Sequence, residues 1–392
     1  MAHAPSPLVT GASELAYAAR SGHASRDANR ARCWPLLLVS RRAPEPRAKG
    51  LFAEVITKHP HVAYEALCGA AFLDGARRLM DDVFSRAGDP DGNFVDDFQG
   101  PGFHTRLFEL ASFAYLEETG WTIERGRPHP DFLLTKDGVS VAVEAVTANP
   151  KAGRDADIAL KHLPDPGTVD ILAKCTDEFP IRMGGVLREK LKKEYWTKPK
   201  CRGLPFVLVL GSFHEPGSMN YVDEQLARYL YGLDRFPDWT DRNGVLVREA
   251  TVESHSFGCK TIPSNFFATE EHAAHLSAVL WTNQFTISRF QRLWAEVFGL
   301  PDELAAVVVR GWHARDGTPP AERFVYEVGD GATPPESWSR GVALFVNPHA
   351  RVPLPPGAFE TTSTFRVREG RLVRELSGFH PLLASTQWRP HG

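Results

Sequence analysis

The sequence predicts an α/β protein. Two features of residues 103–212 carry this prediction. Apolar side chains recur at helical spacing over Phe103–Thr119 and Ile181–Tyr195, and the strand-like runs complete the order helix, three strands, helix, strand. The composition agrees, because 43% hydrophobic and 24% charged residues are ordinary proportions for a globular chain. A predominantly disordered protein is therefore excluded.

The first part of the chain, residues 1–102, is expected to be a lead-in followed by a helical segment. Residues 1–50 are rich in Ala, Arg, Ser and Pro and contain one candidate short helix, Ala12–Ala19. Apolar residues then recur at helical spacing over residues 51–87. Gly, Pro and Asp punctuate residues 87–102, which predicts a loop there.

The central part, residues 103–212, has the clearest succession of elements. Its first helix is closed by Gly120, a residue type common just after a helix. The turn Lys136–Gly138 joins two strands as a hairpin. The run Pro205–Leu210 is apolar throughout, which is typical of a strand buried on both faces. The other predicted strands of this part are Trp121–Arg125, Phe132–Thr135 and Val139–Val146.

The last part, residues 213–392, is expected to be a mixed α/β region whose role stays open. At about 150 residues per domain, a chain of 392 residues predicts two to three domains. One helix is expected near Ile287–Phe298. The strand-like runs of this part are Ser277–Trp281, Ala305–Val309, Phe324–Val328 and Val342–Val346.

Charge and cysteine content exclude several classes of protein. With 45 basic and 48 acidic residues the net charge is −3, which excludes a wholly basic nucleic-acid binder but allows a local basic groove. Five cysteines without a CxxC spacing do not support a zinc ribbon or a thioredoxin-type site, and they fit a reducing compartment. The chain has no signal-peptide pattern and no apolar run near the ~20 residues that span a bilayer. We expect a cytoplasmic protein without a membrane partner.

Three carboxylates of the central part are candidates for chemistry. Glu109 shares a face of the first helix with apolar side chains, where an unpaired carboxylate is costly to bury. Asp131 stands at the start of one strand, and Glu144 interrupts the apolar run of the next. Carboxylates from adjacent strands of a hairpin can converge on one divalent cation, and oxygen ligands suit Mg²⁺ or Mn²⁺. Such an ion activates water and stabilises charge on a phosphodiester.

The pair Pro130-Asp131, followed after twelve residues by Glu144, resembles the PD-(D/E)XK signature of restriction-endonuclease-like nucleases. The order of elements over residues 103–212 is similar to that of the family core, so the resemblance implies a mixed central sheet flanked by helices. Glu109 stands where the family often has a helical glutamate. The resemblance implies that Asp131 and Glu144 bind Mg²⁺ (or Mn²⁺), with the carbonyl of Ala145 as a third ligand. It also implies that Glu109 acts through a metal-bound water, in a bacterial setting such as restriction, defence or repair.

One residue departs from the family pattern. The family lysine would follow Glu144 by two positions, where this chain has Val146, a side chain that can neither orient water nor contact phosphate. In this family the lysine can move to a neighbouring helix. In the predicted helix Ile181–Tyr195, Lys190 and Lys193 are three positions apart and share one face. We therefore expect Lys190, or else Lys193, to replace the missing lysine.

A basic run begins in the same helix and predicts contact with nucleic acid. Within residues 188–202 the basic residues exceed the acidic ones by a local charge of +5, with Tyr195 and Trp196 among them. Cations that contact phosphates and aromatic rings that stack on bases suit a nucleic-acid groove. The candidate nucleic-acid-binding residues beyond the two lysines already named are Arg188, Lys192, Lys198, Lys200 and Arg202.

The sequence favours a metal-dependent nuclease that hydrolyses phosphodiester bonds in DNA or RNA, and two alternatives stay open. One is a catalytically silent nuclease-fold module that binds nucleic acid or a protein partner, because the family lysine is replaced. The other is an enzyme with a different substrate, in which Glu144 is a general base. Nucleic acid is the expected partner, and a homodimer is left open.

Overall fold

An eight-stranded mixed sheet forms the centre of the molecule in the computed structural model. The structure describes residues 50–125, 130–150, 171–215, 217–239, 245–314, 321–331, 333 and 335–391. The predicted helix Ala12–Ala19 lies outside these residues. Within them, no helix combines the length and apolar character that crossing a membrane requires.

The strands are numbered in chain order. They are β1 Thr122–Glu124, β2 Phe132–Lys136, β3 Val139–Ala148, β4 Phe206–Ser212, β5 Leu233–Trp239, β6 Val245–Thr251, β7 Ser254–Phe257, β8 Lys260–Pro263, β9 Ala278–Trp281, β10 Leu304–Ala314, β11 Glu322–Glu327, β12 Ala343–Val346, β13 Ser363–Arg368, β14 Arg371–Glu375 and β15 His380–Pro390.

The helices of four or more residues are α1 Val62–Gly69, α2 Asp74–Ala87, α3 Phe94–Gln99, α4 Phe103–Glu118, α5 Phe179–Leu191, α6 Asp223–Tyr231, α7 Phe266–Thr269 and α8 Ile287–Phe298. A helical turn, Ile171–Ala173, and a π-helical turn, Lys174–Glu178, lead into α5. Single 3₁₀ turns are Ala71–Leu73, Tyr195–Thr197, Ser218–Asn220 and Ala273–His275.

The central sheet has the strand order β1-β2-β3-β4-β9-β12-β13-β14. Strands β1, β2 and β3 pair antiparallel, whereas β3, β4 and β9 are parallel neighbours. Beyond them, β12 pairs antiparallel with β9 and parallel with β13, which pairs antiparallel with β14. The architecture is thus mixed α/β, as the sequence predicts. The predicted boundary between residues 212 and 213 divides this one sheet, because β9, β12, β13 and β14 follow it in the chain.

The hairpin β2–β3 turns at Asp137 and Gly138, as the sequence predicts. Both residues have positive φ, 49° and 78°, and this backbone matches the twist of two-residue hairpins. The register pairs Phe132 with Val143 and Lys136 with Val139. This register fixes Asp131, just before β2, opposite the part of β3 that carries Glu144.

Helices cover the two faces of the central sheet. The α4 side holds one apolar core, to which β3 contributes Val143 and Ala145. The α5 side holds a second core, to which β3 contributes Ala142 and Val146. Alternation along a strand puts Glu144 on the α5 side with Ala142 and Val146. Strand β4 is buried at every position, as its apolar run predicts.

Two element predictions need correction. Helix α5 ends at Leu191 and not at Tyr195, because the charged residues 192–194 have nothing apolar to bury and Glu194 takes a left-handed φ of 47°. The predicted loop over residues 87–102 contains α3, in which Phe94 and Phe98 are four positions apart and both buried. The burial of these two rings on one face of the helix outweighs the turn-forming tendency of the Gly, Pro and Asp residues around them.

Three smaller sheets complete the described architecture. Strands β11-β10-β15 form an antiparallel sheet, and β5–β6 and β7–β8 are separate antiparallel pairs. The predicted runs Ala305–Val309 and Phe324–Val328 correspond to parts of β10 and β11, and the predicted helix Ile287–Phe298 coincides with α8.

Candidate functional site

Asp131 and Glu144 lie side by side at the β2–β3 hairpin. The backbone N–H of Asp131 donates to Glu144 Oε2 at 3.2 Å, and the backbone N–H of Ala145 donates to Asp131 Oδ2 at 2.8 Å. The backbone at Asp131 therefore orients Glu144, and the backbone next to Glu144 orients Asp131. The role of the Ala145 carbonyl as a metal ligand stays a prediction.

Lys190 reaches Glu144 from helix α5. Its ammonium nitrogen lies 2.6 Å from Glu144 Oε1, and the side chain of Glu144 is only 2% exposed. The hydroxyl of Tyr195 donates to the same oxygen at 2.7 Å. The structure thus brings a lysine from a neighbouring helix to the glutamate.

Burial and neighbouring negative charge together shape the electrostatics of the site. Burial raises the pKa of Asp131 well above its usual value, and the carboxylates of Glu144 and Glu109 raise it further, while Lys190 opposes the change. The pKa of Tyr195 is also raised, by burial and by Glu144, so its hydroxyl stays a hydrogen-bond donor at neutral pH. The site holds more acid than its lysine neutralises.

Glu109 is engaged by two arginines. Its Oε2 lies 2.8 Å from the guanidinium of Arg106, and its Oε1 forms an ion pair with Arg125. The side chain is 6% exposed. Glu109 is near enough to Asp131 to raise the pKa of that carboxyl, yet both of its own oxygens already have cationic partners. Its predicted action through a metal-bound water stays a prediction.

Lys193 does not share the position of Lys190. Helix α5 ends at Leu191, so the helical spacing that puts the two lysines on one face stops before Lys193. Lys193 is exposed, whereas Lys190 is partly buried against Glu144. Of the two lysines, the structure places Lys190 at the acidic pair.

The basic run of residues 188–202 is partly neutralised by acids. Besides Lys190, three of its cations form ion pairs at 2.6 Å: Arg188 with Glu270, Lys192 with Glu189, and Lys200 with Glu124. Two of those acids lie outside the run, so its effective charge is lower than its own residues indicate. Lys198 and Arg202 are exposed. Contact of this surface with nucleic acid stays a prediction.

The aromatic residues of the run do not form a free stacking surface. Tyr195 is 1% exposed and its hydroxyl donates to Glu144 Oε1, so the expectation that this ring stacks on bases is wrong. Trp196 stacks on the ring of His275, with a centroid separation of 4.2 Å. Both rings support the local structure of the chain that follows α5.

Three residues of the site were not identified from the sequence: Tyr195 as a partner of Glu144, and Arg106 and Arg125 as partners of Glu109. The sequence contained a signal for the contact of Arg106 with Glu109, because opposite charges three positions apart on a helix are neighbours. Arg125 and Tyr195 belong to other elements, so their contacts depend on tertiary packing that sequence spacing does not contain.

Asp131 and Glu144 supply carboxylate oxygens, the kind of ligand that Mg²⁺ and Mn²⁺ take. Burial, and then the neighbouring carboxylates, raise the pKa of Asp131, and a cation bound beside it would oppose that rise. Magnesium commonly takes one or two carboxylates, keeps several waters and accepts phosphate oxygens, so a third side chain is not required. In the part of the chain that the structure describes, no group of three or more His, Cys, Asp or Glu side chains is arranged to hold a metal ion.

Comparisons of the chain with protein-family models, with curated proteins and with solved structures found no match in any of the three. The function must therefore be argued from the site and the fold of this chain.

Proposed function

We propose that this protein is a metal-dependent nuclease that hydrolyses phosphodiester bonds in DNA or RNA, on a restriction-endonuclease-like core formed by residues 103–212. The succession α4, β1, β2, β3, α5, β4 supports this fold, with β1–β3 antiparallel and β4 parallel to β3. That succession is what the resemblance to PD-(D/E)XK nucleases implies.

The observation that carries the proposal is the contact of 2.6 Å between Lys190 and Glu144, beside Asp131. The sequence motif lacks its lysine, and a nuclease of this kind needs a cation next to the acidic pair. Helix α5 supplies one, although it starts 35 residues after Glu144 in the chain, Phe179 being its first residue. A convergence of two separate elements on one carboxylate supports a site more strongly than the motif alone.

Each residue of the site has a part in the proposed reaction. Asp131 and Glu144 would hold Mg²⁺ or Mn²⁺, which supplies Lewis-acid stabilisation and a more acidic water when bound. Lys190 donates to an oxygen of the scissile phosphate or to the attacking water, and its positive charge offsets charge that develops on the phosphate. Tyr195 is a positioning residue, because its hydroxyl holds Glu144 Oε1 in place.

The proposal is tested by incubating the protein with plasmid, single-stranded DNA and RNA, in Mg²⁺ or in EDTA. We expect cleavage of at least one substrate in Mg²⁺ and none in EDTA. Glu144→Gln and Lys190→Met should each lower the cleavage rate by about 100-fold or more, because each removes a charged group that acts on the phosphate. Lys193→Met is the matched control and should cleave as the wild type does, because Lys193 is exposed.

Circular dichroism of each variant separates loss of activity from loss of folding. Equal cleavage by the Lys190→Met and Lys193→Met variants would contradict the assignment of Lys190. Absence of cleavage of all three substrates by the wild type would contradict the nuclease proposal itself.

A second candidate function is a catalytically silent module that binds nucleic acid. The specific observation in its favour is that Glu144 has partners on both oxygens: Lys190 and Tyr195 on Oε1, and the N–H of Asp131 on Oε2. A carboxylate held in this way is stable without a metal. Retention of labelled DNA or RNA on the wild-type protein, unchanged by EDTA and without cleavage, would favour this candidate.

A further inference from the structure

A cavity of about 470 Å³ lies on the α4 side of the central sheet, away from Glu144, which faces α5. Its position is at the carboxyl ends of the parallel strands β4 and β9. Phe213, which follows β4, and Asn283 and Gln284, which follow β9, line it. In open α/β sheets, ligands commonly bind in the crevice outside the carboxyl ends of parallel strands. The volume lies within the range of about 300–1,000 Å³ that is usual for small-molecule sites.

His104, on α4, lines this cavity with both ring nitrogens unpartnered among the described residues. The side chain is more than nine-tenths buried, since His104 is 8% exposed. Burial and the neighbouring His61 lower its pKa to about 3, so the ring is neutral at physiological pH and carries one donor and one acceptor. Buried polar groups without partners are rare in folded proteins because they cost stability. His104 therefore indicates a ligand with a polar group.

The N-terminus of α8 lines another part of the cavity. Thr286, Ile287 and Ser288 face it, and no side chain caps this end of the 12-residue helix. The first turn of a helix has free N–H groups, and the helix dipole is positive there, so anions bind at such positions. This end of the cavity is suited to a negatively charged group.

Arg292, one turn further along α8, adds a full positive charge to the same region. It pairs with Glu336, as do the buried Arg289 and Arg340. Three guanidinium groups thus share one carboxylate, and the positive charge behind the helix N-terminus is in excess. An anion in the cavity would offset part of this excess.

Among the described residues that line the cavity, Glu215 is the one with an acidic side chain. It is bound by Lys174, by the hydroxyl of Tyr221 and, at 3.6 Å, by His214. Burial opposes ionisation of Glu215, yet these partners lower its pKa to about 2. Its negative charge is partly offset by Lys174, which also pairs with Glu178, and Glu215 follows β4 and does not belong to α8. The α8 end of the cavity therefore stays attractive to anions.

We propose that this cavity binds a small organic anion. Its phosphate or carboxylate group contacts the N-terminus of α8 and Arg292, its apolar body lies against Phe103, Leu107 and Trp388, and His104 forms a hydrogen bond with a polar atom of the ligand. This site is separate from the Asp131–Glu144 pair, and the proposal does not depend on nuclease activity.

The test uses the fluorescent probe 8-anilino-1-naphthalenesulfonate, an anion with an apolar aromatic body, on the full-length protein. We expect saturable binding to the wild type. Ser288→Glu places a negative charge in the first turn of α8, which favours the helix but repels an anion, so binding should weaken about tenfold or more. Ser288→Gln is the neutral control of matched size, and it should weaken binding much less than Ser288→Glu does because it adds no charge.

Two further measurements extend the test. His104→Phe keeps the stacking on Phe213 and removes the hydrogen bond, so it should weaken binding about tenfold. Displacement of the probe by phenyl phosphate or by 3-phenylpropionate identifies the anionic group, and either result supports the proposal. Equal probe binding by the Ser288→Glu and Ser288→Gln variants, or failure of both competitors to displace the probe, would overturn it.

Discussion

Small differences in position decide the role of single charged residues at the acidic pair. Lys190 and Lys193 are three residues apart, but Lys190 is the last lysine before α5 ends and lies against Glu144, whereas Lys193 is exposed. Asp131 and Glu109 are both carboxylates of the same region, but Glu109 has two arginine partners and Asp131 has the crowded environment that raises its pKa. At this scale, the partners of a residue decide what it can do.

Asp131→Asn should change the pH dependence of stability. The pKa of Asp131 is raised by burial, then by Glu144 and Glu109, so the folded protein resists ionisation that the unfolded chain undergoes freely above the usual value of 3.8. The stability contribution of Asp131 is therefore present at low pH and lost as pH rises through the raised pKa. The side-chain oxygen of asparagine can still accept the hydrogen bond from the N–H of Ala145, but asparagine carries no charge. We expect Asp131→Asn to be more stable than the wild type at pH 8, with the difference vanishing near pH 3.

Urea denaturation at several pH values measures this difference. Added Mg²⁺ should raise the stability of the wild type at pH 8 and leave the Asp131→Asn variant nearly unchanged, because an ion held at the proposed Asp131–Glu144 site would stabilise only the folded wild type. A stability difference that grows as the pH falls would show that the assigned direction of the pKa shift is incorrect.

Helix α5 is the element on which the candidate active site depends. It packs on the sheet through buried side chains that include Met183 and Leu187, and it meets α6 at Gly184. A Cβ atom at Gly184 would lie 2.3 Å from the hydroxyl of Tyr229, whereas none of the surroundings of Gly185 comes within 4 Å of an added Cβ. Gly184 therefore allows the close contact between α5 and α6, whereas Gly185 makes no such contact.

Alanine at these neighbouring positions should have opposite effects on stability. Gly184→Ala forces α5 away from the buried ring of Tyr229 and should destabilise the protein by about 1–3 kcal/mol. Gly185→Ala meets open space and should stabilise it by about 0.5–1 kcal/mol, because alanine favours the helix and restricts the unfolded chain. Thermal and urea unfolding of both variants measures the effects. Equal changes at the two positions would show that α5 does not meet α6 through Gly184.

Much of the central part was predictable because its signals are local. Periodicity and the Asp137-Gly138 turn located α4, β2, β3 and α8, and the apolar run located β4. Strands β5–β8 and β13–β15 lacked such signals, since several are short and carry polar residues on both faces. In the site, spacing identified Lys190 as a candidate, but only the observed end of α5 at Leu191 distinguishes it from Lys193. The contact of Tyr195 with Glu144 depends on tertiary structure and could not be predicted from spacing.

The whole described molecule is organised around one sheet that both halves of the chain build. Strand β4 completes the proposed nuclease core, yet its second neighbour is β9 from beyond residue 213. All seven residues of β4 are buried. The apolar core on the α4 side likewise combines α1 and α2 with α8. The predicted core of residues 103–212 therefore shares its sheet and its apolar core with other described parts of the chain.

A fragment of residues 103–212 should fail to fold by itself. Without β9, the buried strand β4 becomes an exposed apolar edge, and such edges promote aggregation. We expect the fragment to be insoluble or to lack a cooperative thermal transition in far-ultraviolet circular dichroism, with the full-length chain as the control. A soluble fragment with a sharp transition would show that this region is an independent domain.

The delivery of Lys190 by a helix also determines what keeps the charges of the site together. A lysine two residues from the glutamate on the same strand would stay beside it wherever that strand is. Here the β2–β3 hairpin holds Asp131 and Glu144, whereas their cation belongs to α5, so the balance of charge depends on the docking of α5 against the sheet. A chain with α5 displaced would hold the carboxylates without the lysine.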